Sequence, residues 1–99
     1  MKFIIGKNDS GKTRTLIKQS IDQGIPIFVL YESKADSIRS KAINYFGKSV
    51  QVVTTQDFVT GRYNGDILVD DMEKAFVTLL AAYINTSNFN IIAATITED

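Results

Sequence analysis

Apolar positions along this chain fall into two alternating patterns. Short unbroken runs occur at "KFIIG" from Lys2, "IPIFVLY" from Ile25, "SVQVVT" from Ser49, "DILVD" from Asp66 and "NFNIIAATIT" from Asn88. They are rich in β-branched and aromatic residues, and runs of this kind predict strands buried on both faces. Between them the apolar residues spread to helical spacing. "KTRTLIKQSIDQG" puts Leu16, Ile17 and Ile21 on one face, with Gly24 as the stop. A second helix is expected from about Lys34 to Phe46, capped by Ser33 with Asp36 three residues on, and ended by Gly47. "TTQDFVTG" predicts one capped turn, Thr54 or Thr55 before Asp57, closed by Gly61, and "RYNG" a turn. A third helix is expected over "DMEKAFVTLLAAYIN", burying Phe76, Leu79, Leu80 and Tyr83. Strand and helix in alternation predict an α/β fold: a three-layer α/β/α sandwich around a mostly parallel five-stranded sheet with right-handed crossovers.

The length of 99 residues fits a single domain over 1–99, and 44% hydrophobic against 22% charged residues is a globular balance. Chemistry is then narrowed by what is missing. Without cysteine or histidine, zinc sites and imidazole acid–base catalysis are excluded, and any metal must rest on oxygen ligands. Eleven acids balance eleven bases, so no basic footprint marks a nucleic-acid binder. The opening "MKFIIGK" is too short for a signal peptide, and no run reaches the roughly twenty apolar residues of a membrane span. The expected setting is cytoplasmic.

One segment carries chemistry in its spacing. Gly6, Lys7, Asn8, Asp9, Ser10, Gly11, Lys12 and Thr13 fit G-x-x-x-x-G-K-[ST] without a mismatch, between an apolar strand and an amphipathic helix. Four residues between two glycines let successive N–H groups turn inward around a phosphate, and the following helix adds its positive dipole end. Lys12 would reach the β- and γ-phosphates, and the Thr13 hydroxyl would ligate magnesium. A second element, "DILVDDME", ends a buried strand in Asp70 and Asp71, at the strand end where ligands bind in open parallel sheets. The two acids also suit the cap of the helix that begins near Met72, but a strand ending in two acids beside such a loop favours a metal role.

Taken together, the loop, the acid-ended strand, the additional strand "SVQVVT" and a last strand bearing Thr95 resemble the RecA/helicase-like, additional-strand branch of P-loop ATPases. The resemblance runs over nearly the whole chain, with the Walker A loop as its sharp part. It implies a Walker B role for Asp70, holding Mg2+ through water, a water-polarising role for Asp71, and a γ-phosphate sensor at Thr95. It also implies a sheet order of loop strand, last strand, Walker B strand, second strand, third strand. Asp71 departs from the usual Glu by one methylene. Members of the branch also continue beyond the sensor strand, so a protein partner or second copy is expected to close the pocket.

The resulting expectation is an Mg-nucleotide protein, binding ATP with hydrolysis through Lys12, Thr13, Asp70 and Asp71, in nucleic-acid metabolism by analogy of fold. A non-hydrolysing, nucleotide-responsive binding module is the alternative, and a small-molecule kinase the third reading. Arg14 is a candidate for a place beside the nucleotide and Arg62 for a finger to a neighbouring subunit, but an ordinary surface place is favoured for each. Tyr63 in the "GRYNG" turn is either a stacking platform or a plain exposed tyrosine.

Overall fold

The computed structural model describes residues 2–7, 11–60, 62, 63, 65–71 and 89–98. The elements in order are β1 (Lys2–Lys7), α1 (Lys12–Gln23), β2 (Ile27–Val29), α2 (Glu32–Phe46), β3 (Val52–Thr54), α3 (Thr55–Val59), β4 (Gly65–Val69) and β5 (Phe89–Glu98). The architecture is α/β with a parallel sheet. Its strands lie in the order β1-β5-β4-β2-β3, and each pairing is parallel. This is the order expected above. Of the helix expected over 71–85, Asp71 is described, with φ 63° and so not helical, and 72–85, with Phe76, Leu79, Leu80 and Tyr83, lie outside the described residues.

Alternation along the strands sorts the core into two faces. On one face Ile27, Val29, Val52, Leu68 and Ala93 pack with Leu16 and Ile17 of α1 and Ala35, Ile38 and Ala42 of α2. Both long helices among the described residues therefore cover the same face. On the other, Phe28, Val53, Ile67, Val69 and Ala94 form a second buried cluster, with Leu30, Tyr63 and Ile91 packed against it. Tyr63 is thus half-buried and not a plain exposed tyrosine. Its hydroxyl donates to the Asp66 carbonyl at 2.7 Å, and burial, followed by the charge of Asp66, raises its pKa.

Helix ends follow local chemistry. Gly24 and Gly47 adopt φ of 69° and 64°, and their N–H groups close on Ser20 O and Ile43 O. Both are glycine stops in the left-handed region, as the sequence predicts. The start of α2 differs. The helix begins at Glu32 after Tyr31, with no side-chain cap, so Ser33 is inside it. Asp36 does not cap but accepts from Arg39, which also reaches Glu32. On an exposed helix face, carboxylates at i−3 and i−7 give the guanidinium closer partners than the helix start gives Asp36.

The short α3 is capped as expected. Asp57 Oδ2 accepts from the Thr54 N–H at 2.8 Å and the Thr54 hydroxyl at 3.3 Å. Thr54 is buried, so truncation would strand its N–H. Asp57→Ala is expected to cost about 1–2 kcal/mol, seen as a lower urea midpoint at unchanged slope. An unchanged midpoint would mean that water replaces the carboxylate freely.

Candidate functional site

The carboxyl ends of β1, β5 and β4 meet the start of α1. Gly6 and Lys7 close β1, in register with Thr97 and Glu98 of β5. Asn8, Asp9 and Ser10 lie outside the described residues. Gly11 then holds φ 87°. A Cβ there would meet nothing within 4 Å, so the requirement for glycine is conformational and not steric. Lys12 and Thr13 form the first turn of α1. Lys12 is buried at 9% exposure, rare for a lysine at a helix start.

Asp70 follows Val69 at the end of β4. By alternation it shares the face of Leu68, the face that α1 covers. There it meets two hydroxyls. Thr13 Oγ1 donates to Asp70 Oδ1 at 3.4 Å, and Thr95 Oγ1 donates to the same oxygen at 2.9 Å. Thr95 Oγ1 in turn accepts from the Asp71 N–H at 2.6 Å. Asp71 has φ 63°, the one non-glycine residue with positive φ among those described. Aspartate tolerates that conformation better than most residues. The structure thus brings together Thr13, Asp70, Asp71 and Thr95 from three separate parts of the chain.

Thr95 reaches Asp70 because the strand register slips. β4 and β5 pair as Ile67↔Ile91 and then Leu68↔Ala93. Ile91 packs on the second face, whereas both Ile92 and Ala93 belong to the α1 face. That one-residue bulge turns every later position of β5 over. Without it, Thr95 would share the face of Ile91, away from Asp70.

Arg14 is placed differently from expectation. Its guanidinium lies 5.2 Å from the ring centroid of Tyr45 and 5.8 Å from that of Phe46, on the last turn of α2. Two aromatic faces offer it a cation–π site that the sequence does not reveal. Arg62 is exposed before β4. It precedes the strand end opposite Asp70, and the stretch from Gly65 to Asp70 spans about 17 Å at about 3.3 Å per residue. Arg39 is engaged by Glu32 and Asp36.

A feature that the sequence did not suggest is a cleft of about 310 Å³ beside the two acids, lined by Val29, Leu30, Tyr31, Lys34, Asp70 and Asp71. It opens outside the carboxyl ends of β2 and β4, where open parallel sheets hold ligands. Tyr31, 64% exposed, is the one signal, an aromatic left uncovered just after a buried strand.

The donor set is all oxygen. Among the described residues no group of three or more acids could hold an ion alone. A hydroxyl and a carboxylate on adjacent element ends instead suit magnesium, which keeps its waters and takes further oxygens from phosphates. Among the described residues no helix is long and apolar enough to cross a membrane. Comparisons with protein-family models, curated proteins and solved structures find no match.

Proposed function

We propose that this chain is an Mg-nucleotide-binding protein of the P-loop type that takes ATP, with slow hydrolysis until a partner completes the site. The observation that carries the reading is the Thr13–Asp70 contact, 3.4 Å between residues 57 positions apart. A hydroxyl that gives its proton to Asp70 keeps its lone pairs for a cation, and Asp70 keeps Oδ2 for a water of that cation's shell. The motif supplies the phosphate cradle next to it, and the sheet order β1-β5-β4-β2-β3 agrees with the RecA/helicase-like branch. A bound magnesium ion would neutralise phosphate charge.

The division of labour follows from position. Lys12, at the mouth of α1, would bind the terminal phosphates. Asp71, on the border of the cleft, would orient a water entering there and accept its proton as the water oxygen attacks the γ-phosphorus. The bond to the β–γ bridging oxygen then breaks and ADP leaves. Charge stabilisation by arginine is worth about 10³–10⁵ in rate in related chemistry. Arg14 and Arg39 are engaged elsewhere and Arg62 is remote, which favours slow intrinsic turnover, and in the limit the non-hydrolysing binder.

The test is a fluorescent-ADP titration with and without Mg2+, beside phosphate release from Mg-ATP at rising protein concentration. Binding strengthened by Mg2+ is expected, with a low rate that Asp71→Asn abolishes while binding persists. Asparagine keeps the tolerance for positive φ, so the fold is not at issue. Absence of nucleotide binding would defeat the proposal. Binding without turnover at any concentration would reduce it to the binding module.

A further inference from the structure

We infer that Thr95 is a positioning residue for the metal carboxylate, held there by the β5 bulge, and not a contact to the terminal phosphate. The inference rests on the nucleotide-site reading above and assigns this residue a different task within it. Three observations carry it. First, the single proton of the Thr95 hydroxyl is committed: it goes to Asp70 Oδ1 at 2.9 Å, while the oxygen accepts from the Asp71 N–H at 2.6 Å. A group that sensed phosphate would have to offer that same proton to a phosphate oxygen. Second, Thr95 is 1% exposed, so its hydroxyl offers almost no surface to a ligand that reaches Asp70 from outside. Third, the register slip between Ile67 and Leu68 is what turns Thr95 onto the α1 face. Bulges gather where a side chain must be re-aimed.

The consequence is a short relay, from backbone N–H to hydroxyl to carboxylate, in which each bond polarises the next. Its two ends are the two acids of the site. At one end it fixes the Asp70 carboxylate so that Oδ1 is occupied by Thr13 and Thr95 and Oδ2 remains for a metal-bound water. At the other it gives the left-handed Asp71 backbone a hydrogen bond that offsets its conformational cost. Thr95 acts on both through contacts already made before any nucleotide arrives.

The two roles separate with ADP, which has no γ-phosphate for a sensor to touch. Mn2+ binding to the ADP complex of the full chain, followed by electron paramagnetic resonance, is compared for wild type, Thr95→Val and Thr95→Ser. Valine keeps the shape and removes both hydrogen bonds, and serine keeps the hydroxyl. Thr95→Val is expected to weaken Mn2+ by about 10–100-fold, the usual effect of losing a group that orients a metal ligand. Metal-free ADP affinity should be unchanged, and Thr95→Ser should recover most of the loss. In the nucleotide-free protein, the Asp71 amide should exchange with solvent faster in Thr95→Val than in Thr95→Ser.

Unchanged Mn2+ affinity in Thr95→Val, with loss only of the preference for ATP over ADP, would overturn the inference and restore the sensor. Loss of metal-free ADP binding in Thr95→Val would also overturn it, since the hydroxyl would then support the fold at large. Wild-type protein that binds no ADP would instead bring down the nucleotide-site reading, and this inference with it.

Discussion

Phe28→Ala is expected to lower the stability of the fold by about 3–5 kcal/mol. Phe28 is 0% exposed and heads the largest fully buried side chains. It lies on β2, between the Val53 and Val69 registers of its neighbours, at the centre of the face that α1 and α2 do not cover. Val53, Ile67, Val69 and Ala94 surround it, and small or β-branched neighbours in a sheet have little freedom to close over a missing ring. Single domains are stable by only about 5–15 kcal/mol in total. The variant should therefore sit near its unfolding midpoint at modest urea, measurable by circular dichroism. A loss below about 1 kcal/mol would place it among ordinary surface changes and would contradict a tightly packed second face.

Lys12→Ala should separate binding from folding. Hydrogen bonds to charged groups are worth about 1.5–3 kcal/mol each, and about 1.4 kcal/mol is a factor of ten. Loss of the ammonium should then weaken ADP or ATP by roughly 10–100-fold. Gly11 and the N–H groups at the start of α1 are untouched, so residual phosphate affinity is expected. The titration should be run at one fixed salt concentration, because ionic strength alone moves such affinities. Equal affinity in the variant would mean that the phosphates do not sit at the start of α1, whatever the motif says.

The parts of the fold that were legible are those that short spans of sequence dictate. α1 occupies Lys12–Gln23 with Leu16 and Ile17 buried, as its spacing demands, and Gly24 and Gly47 stop their helices because only glycine takes positive φ without cost. β2 is shorter than "IPIFVLY" implied, only Ile27–Val29. Pro26 lacks an N–H for the ladder, and the chain leaves the sheet at Leu30 to begin α2. The grouping of Asp70 with Thr13 was legible through the motif and the acid-ended strand.

What stayed hidden depends on register and on distant partners. "IIAAT" is apolar on both sides, so periodicity cannot show on which face Thr95 falls. A one-residue slip decides it. The seat of Arg14 on Tyr45 and Phe46 is likewise a meeting of two helices with no local trace. A lone arginine after a phosphate-type loop suggests proximity to anions, but aromatic faces compete for it once α2 is packed.

The pairing of β1 with β5 has a kinetic side. Lys2 lies opposite Ala93 and Gly6 opposite Thr97, so the strand that leads into the loop is completed by β5, far along the chain. Such a contact has very high sequence separation and must follow a long loop closure, which slows folding. On the ribosome, the first strand and its loop would emerge long before their neighbour. The Asp70 carboxylate would then gain its Thr95 contact only after synthesis has run through β5, so this end of the sheet is not a template on which the earlier parts assemble.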